Sequence, residues 1–220
     1  MQGWSLHLLN ARGQFSDLDD WLQTETLATK DLLEKAAPKL ALDVVIRASD
    51  YAMPPSLAIA GSALGPGRIE LTVDLRRSCS VSELKGQLKR TLIHEYHHAT
   101  RWEGPGYGKT LGAALVSEGL AQRFVHDVIS CPPEPWEIAV PDQDLPALAR
   151  RANTLYDSSG YSHSDWFFGC SDLPVWAGYA LGRAMIDGHL KNMPHETALS
   201  LARTSAGDFR NALLDLANGK

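Results

Sequence analysis

The sequence predicts an α+β fold: a small mixed sheet and one long helix in the N-terminal half, and a mainly helical C-terminal half. Three observations carry this. Short alternating or β-branched runs fall before residue 75. A helical stripe of Leu84, Leu88, Leu92 and Tyr96 follows them. After residue 130 the readable stripes are helical and are separated by Pro- and Gly-rich breaks.

Trp4–Leu9 alternates as a first strand. Residues 17–37 read as an amphipathic helix with Leu18, Trp21, Leu22, Leu32 and Leu33 turned inward, ended by Pro38. Asp43–Arg47 is a β-branched strand, and Met53-Pro54-Pro55 marks a turn. Two strands, 57–60 and 67–74, flank a Gly/Pro-rich turn at 61–67. In the second, Ile69, Leu71 and Val73 alternate with Glu70, Thr72 and Asp74, as in a strand with one exposed face. Ser80 followed three residues later by Glu83 is a capping box. It opens a helix that runs to Trp102 and is stopped by Gly104-Pro105-Gly106. A second helix spans 110–129, with Leu111, Leu115, Glu118 and Gln122 on one face. The prolines at 132–135 and 141–146 divide a single domain into halves of about 1–130 and 131–220. Residues 145–156, 176–190, 196–203 and 208–217 read as helices, and 158–172 as a loop lined by aromatics.

Composition limits the function classes. With 44% apolar and 21% charged residues in a chain of 220, one ordinary core is expected and no membrane span is indicated. Net charge is −5 and no Lys/Arg block exists, which argues against a nucleic-acid partner. Cys79, Cys131 and Cys170 are odd in number and widely spaced, fitting neither a disulfide framework nor a cysteine metal site. No basic region followed by an apolar run opens the chain, so a cytoplasmic protein is expected.

The chemistry concentrates in His94-Glu95-Tyr96-His97-His98, the pattern H-E-x-x-H. Four helical residues advance about 400°, which puts His94 and His98 one turn apart on one face. Two imidazoles so placed can bind one tetrahedral zinc, and Glu95, about 100° round the helix from His94, can take a proton from an activated water. A catalytic zinc needs a third protein ligand. Arg101 and Gly104 stand where a metzincin would carry Gly and His, and Glu103 points away from the pair. Glu118 remains, separated from His98 by nineteen residues, on a helix able to pack antiparallel to the first.

H-E-x-x-H, nineteen residues, then Glu within Ser117-Glu118-Gly119-Leu120-Ala121 resembles the gluzincin clan of zinc metallopeptidases. Asp165–Gly169 and the run Leu173–Gly182 resemble, more narrowly, the YjaZ-type family of predicted zinc-dependent proteases. The likeness covers about residues 80–190 well and the N-terminal third loosely. It implies a zincin-like fold and a peptide or protein substrate. It also implies Zn²⁺ held by His94, His98 and Glu118, with Glu95 as general base. Gln122 stands where thermolysin-like gluzincins carry an Asp, which leaves the support of a His ligand open. In zincins a strand closely preceding the metal helix lines the cleft and pairs with extended substrate, a role that would fall to residues 67–74.

Amide hydrolysis also calls for a donor to the oxyanion. Tyr156, Tyr161, His163 and Tyr179 are the downstream candidates, with Tyr179 in the family-like Gly-Tyr pair first and His163 second. For Tyr179 the competing reading is a core tyrosine, and for His163 a surface histidine. His97, out of phase with the pair, reads as a packing or supporting residue. Gly104–Thr110 imitates a phosphate loop but has Glu103 in place of the first Gly and follows a helix. Two other functions fit less well: a non-catalytic metal-binding or regulatory protein on the same scaffold, and a small-molecule amide hydrolase.

Overall fold

The computed structural model describes residues 3–15, 17–53, 57–170 and 172–220. Pro54 and Pro55 of the expected turn lie outside them. The described residues form an α+β chain with one mixed four-stranded sheet and seven α-helices. The chain divides into two compact units, Met1–Trp102 and Glu103–Lys220. This division falls in the turn after the metal-motif helix, upstream of the proline-rich stretch at 132–146.

The first unit runs β1 (Trp4–Leu8), α1 (Asp19–Ala36), β2 (Leu42–Ala48), β3 (Ile59–Gly65), β4 (Arg68–Val73) and α2 (Val81–Trp102). Strand order is β1-β2-β4-β3, with β1, β2 and β4 parallel and β3 antiparallel to β4. Parallel neighbours need a long crossover, and α1 supplies it between β1 and β2. Leu42, Val44, Ile46, Ile69, Leu71 and Val73 are buried. The alternate positions carry polar pairs instead: His7 Nε2 is 2.7 Å from Asp43 Oδ1, and Arg47 Nε donates to Glu70 Oε1 at 2.6 Å.

Two strand expectations change. β4 is bonded on both sides, so among the described residues the outer strands are β1 and β3, not the strand that directly precedes the helix. β3 itself runs through Gly61–Gly65, where glycine suggests a turn; the turn is confined to Pro66-Gly67. Gly61 sits mid-strand for a packing reason. A Cβ there would lie 2.7 Å from Thr91 Cγ2 and 2.9 Å from Glu95 Cδ, so only glycine lets β3 approach α2 this closely.

α2 begins as expected. Glu83 N donates to Ser80 Oγ (3.2 Å), while the Ser80 hydroxyl (2.7 Å) and Ser80 N (2.9 Å) both donate to Glu83 Oε2 and hold that carboxyl below its usual range. In α1 the inward face is Leu22, Thr26, Thr29 and Leu33, while Leu18, Trp21 and Leu32 are only partly covered.

The second unit is helical: α3 (Leu111–Val128), α4 (Leu145–Leu155), α5 (His163–Phe168), α6 (Ala177–Asn192) and α7 (Arg210–Ala217). Thr110 caps α3, accepting from Ala113 N at 3.2 Å. α3 is buried nearly all round and meets α6 backbone to backbone; a Cβ on Gly182 would lie 2.5 Å from the Leu115 carbonyl oxygen. The stretch 158–172 is not wholly loop, since Ser162 caps the short helix α5 by accepting from Asp165 N. Residues 196–203 shorten to one 3-10 turn, Ser200–Arg203. Among the described residues no helix is long and apolar enough to cross a membrane.

Candidate metal centre

His94 and His98 face the same way on α2, as their spacing requires. Their Nε2 atoms lie 2.9 Å apart and the rings meet edge-on, at 4.6 Å between centroids. Tetrahedral ligands at about 2.0–2.1 Å from zinc are about 3.3 Å apart, so the two lone pairs need only a slight spreading to share one ion.

Glu95 is buried, at 6% exposure, and its side chain is backed by the bare Cα of Gly61. Two side chains on either side of the motif tie α2 to β3. Gln87 Oε1 accepts from Ala58 N (2.7 Å) and Ile59 N (3.2 Å), and Trp102 Nε1 donates to the Ala63 carbonyl (3.0 Å). Tyr96 adds a hydrogen bond to the Pro38 carbonyl. Glu95 is thus held between two fixed points of one strand. His97 is fully buried, which fits a packing or supporting place.

In the second unit Glu118, 6% exposed, accepts a hydrogen bond from Tyr107 Oη at 2.7 Å on Oε1. Burial raises the Tyr107 phenol well above its ordinary value, and the Glu118 charge and hydrogen bond raise it further, so this phenol stays a donor. Tyr107 is the residue that the sequence reading missed. It lies in the Gly-rich turn, where aromatic residues carry no motif, and only the fold brings it to Glu118.

His163 and Tyr179 are both set against Phe167. The His163 ring stacks on it at 4.4 Å and the Tyr179 ring meets it edge-on at 5.0 Å. Tyr161 Oη lies 3.1 Å from His163 Nδ1. Burial pushes the His163 imidazole below its usual range against the opposing pull of the Glu118 charge, so His163 is not a simple surface histidine. Burial and the same charge raise the Tyr161 phenol. Tyr156 belongs elsewhere: its ring covers Gly112 and its hydroxyl donates to the Ala206 carbonyl at 2.6 Å. Gln122 Nε2 donates to the Tyr179 carbonyl (3.3 Å), which ties α3 to α6.

One ligand atom from each of His94, His98 and Glu118 lies within 4.8 Å of the others, a grouping that could hold a metal ion. Two imidazoles and one carboxylate are a donor set that suits zinc and leaves a fourth position for water. Neither the curated proteins nor the solved structures include a match to this chain. Residues 28–211 match the family model described as predicted Zn-dependent protease (DUF2268), and the chain belongs to that family.

Proposed function

We propose that this protein is a zinc-dependent peptidase of the gluzincin type, with a zincin-like fold and a cytoplasmic setting. His94, His98 and Glu118 hold the metal, and Tyr107 orients the Glu118 carboxylate by occupying Oε1. The observation that carries the reading is the pair of His Nε2 atoms 2.9 Å apart beside a buried Glu95. Family membership supports the same chemistry.

Zinc, when bound, supplies a Lewis acid that polarises the scissile carbonyl and brings the ionisation of water near neutral pH. Glu95 accepts the proton of the attacking water and returns it to the leaving amine. Its burial against Gly61 keeps the carboxylate in one place for both transfers. Tyr179 donates a hydrogen bond to the oxyanion, with His163 as the second candidate; Phe167 fixes the orientation of both rings. The free edge of β3 receives the peptide as an added strand.

Metal content and turnover on a peptide library test this together. Wild type should bind about one zinc per chain, Glu118→Ala should bind it far more weakly, and Glu95→Gln should keep zinc and lose turnover. A folded wild type that takes up no zinc would overturn the proposal. Undiminished turnover in Glu95→Gln would remove Glu95 as the base.

A further inference from the structure

Apart from the metal ligands, one cluster in the second unit sets a nucleophile, a base and an orienting carboxylate in series. His126 lies in the last turn of α3, and its Nε2 is 2.7 Å from Glu137 Oε2. Its other nitrogen, Nδ1, is 3.7 Å from Cys131 Sγ. A carboxylate can only accept here, so Glu137 keeps the proton on Nε2 and turns the Nδ1 lone pair toward the thiol. Thiol and carboxylate lie on opposite edges of one imidazole. That arrangement passes a proton; it does not grip a metal ion.

The carboxylates around His126 belong to one ion-pair network. Glu137 also accepts from Arg183 Nη1, and Arg183 Nε is 3.3 Å from Asp187. Arg123 joins Asp187 (3.3 Å) to Asp127 (2.9 Å). Three carboxylates therefore face two guanidinium groups beside the imidazole. Cys131 is partly exposed and in no disulfide, so a small reagent can reach it. Cys170 differs: its thiol donates to a carboxylate oxygen, Asp172 Oδ1 at 3.0 Å, and not to an imidazole.

We propose that Cys131 is a reactive thiol, activated by His126 and oxidised reversibly by hydroperoxides. His126 Nδ1 takes the thiol proton, and the sulfur attacks one oxygen of the peroxide. The O–O bond breaks, and the departing oxygen collects the proton from His126 and leaves as water or an alcohol. Cys131 is left as a sulfenic acid, two electrons more oxidised; one small-molecule thiol condenses with it to a mixed disulfide and water, and a second thiol displaces Cys131 from that disulfide as the free thiol.

The test uses the whole chain. Iodoacetamide labelling rates at Cys79, Cys131 and Cys170 are followed by peptide mass spectrometry from pH 9 down to pH 6. An ordinary thiol slows about 200-fold over that range as its thiolate disappears. Cys170 should do so, whereas Cys131 should slow less than about ten-fold. His126→Asn should give Cys131 the ordinary profile, with the circular dichroism spectrum showing whether the fold is kept. His126→Gln replaces it if that variant does not fold. A dimedone adduct should form at Cys131 first when one equivalent of hydrogen peroxide is added. Matching profiles for Cys131 and Cys170 in the wild type, or a Cys131 profile unmoved by either variant, would overturn the activation. Absence of a dimedone adduct at Cys131 would overturn the oxidation.

Discussion

Gly61→Ala is the smallest change aimed at the proposed base without touching a metal ligand. The added methyl would lie 2.7 Å from Thr91 Cγ2, 2.9 Å from Glu95 Cδ and closer still to Glu95 Cγ. Carbon atoms settle at about 3.5–4.0 Å, so the neighbours must give way by about 1 Å. Thr91 is β-branched on a helix and yields little, which leaves Glu95 to move. Overpacking of this kind costs about 1–3 kcal/mol. A catalytic group displaced by about 1 Å loses roughly 100-fold in rate. The variant should therefore bind zinc as wild type does, melt a few degrees lower, and turn peptide over about 100-fold more slowly. Adding Thr91→Ser removes only the threonine methyl, so it should restore melting temperature more than activity. Zinc content, thermal unfolding and kcat/KM on one peptide are enough to decide. Full activity in Gly61→Ala, or loss of zinc in step with activity, would refute the link between this glycine and the position of Glu95.

Three further outcomes follow from contacts described above. Tyr107→Phe deletes the donor to Glu118, and zinc affinity measured by competition with a chelator should fall about 10- to 100-fold while the fold is kept. Gly182→Ala drives a methyl against the Leu115 carbonyl oxygen, which cannot swing aside, so urea denaturation should show a loss of about 2–3 kcal/mol. Asp74 is held below the usual carboxylate range by the Met53 backbone N–H first and then by Arg76. Its contribution is present above the unfolded value near 4 and is lost as pH falls through the lower folded value. Asp74→Asn should accordingly flatten the decline of melting temperature below about pH 4.

What the sequence made legible was local. The Ser80/Glu83 box and the four-residue step between His94 and His98 each depend on neighbours within one or two helical turns, and both stand where the spacing puts them. What stayed hidden depends on a partner far along the chain. Gly61 reads as a turn residue because its real constraint, Glu95, is thirty-four positions away. Tyr107 has no pattern until the chain folds back to Glu118. The edge role of β3 could not be assigned from alternation, since an edge and a central strand alternate alike and only the β2–β4 pairing decides which is which. His163 looked like a surface residue in a polar run, but the Ser162 cap starts a helical turn that lays its ring on Phe167.

β3 has a second consequence, for solubility. An edge strand is usually guarded against joining its own kind by a lysine, a proline or another charge, yet residues 59–65 read Ile-Ala-Gly-Ser-Ala-Leu-Gly, with no charged side chain and Leu64 46% exposed. The Trp102 indole, seated on the Ala63 carbonyl, occupies one of the backbone acceptors that an intruding strand would use. Gln87, which accepts from the Ile59 N–H, covers the other end of the same edge, so on partial unfolding, when these two contacts are lost, self-association should begin at residues 59–65.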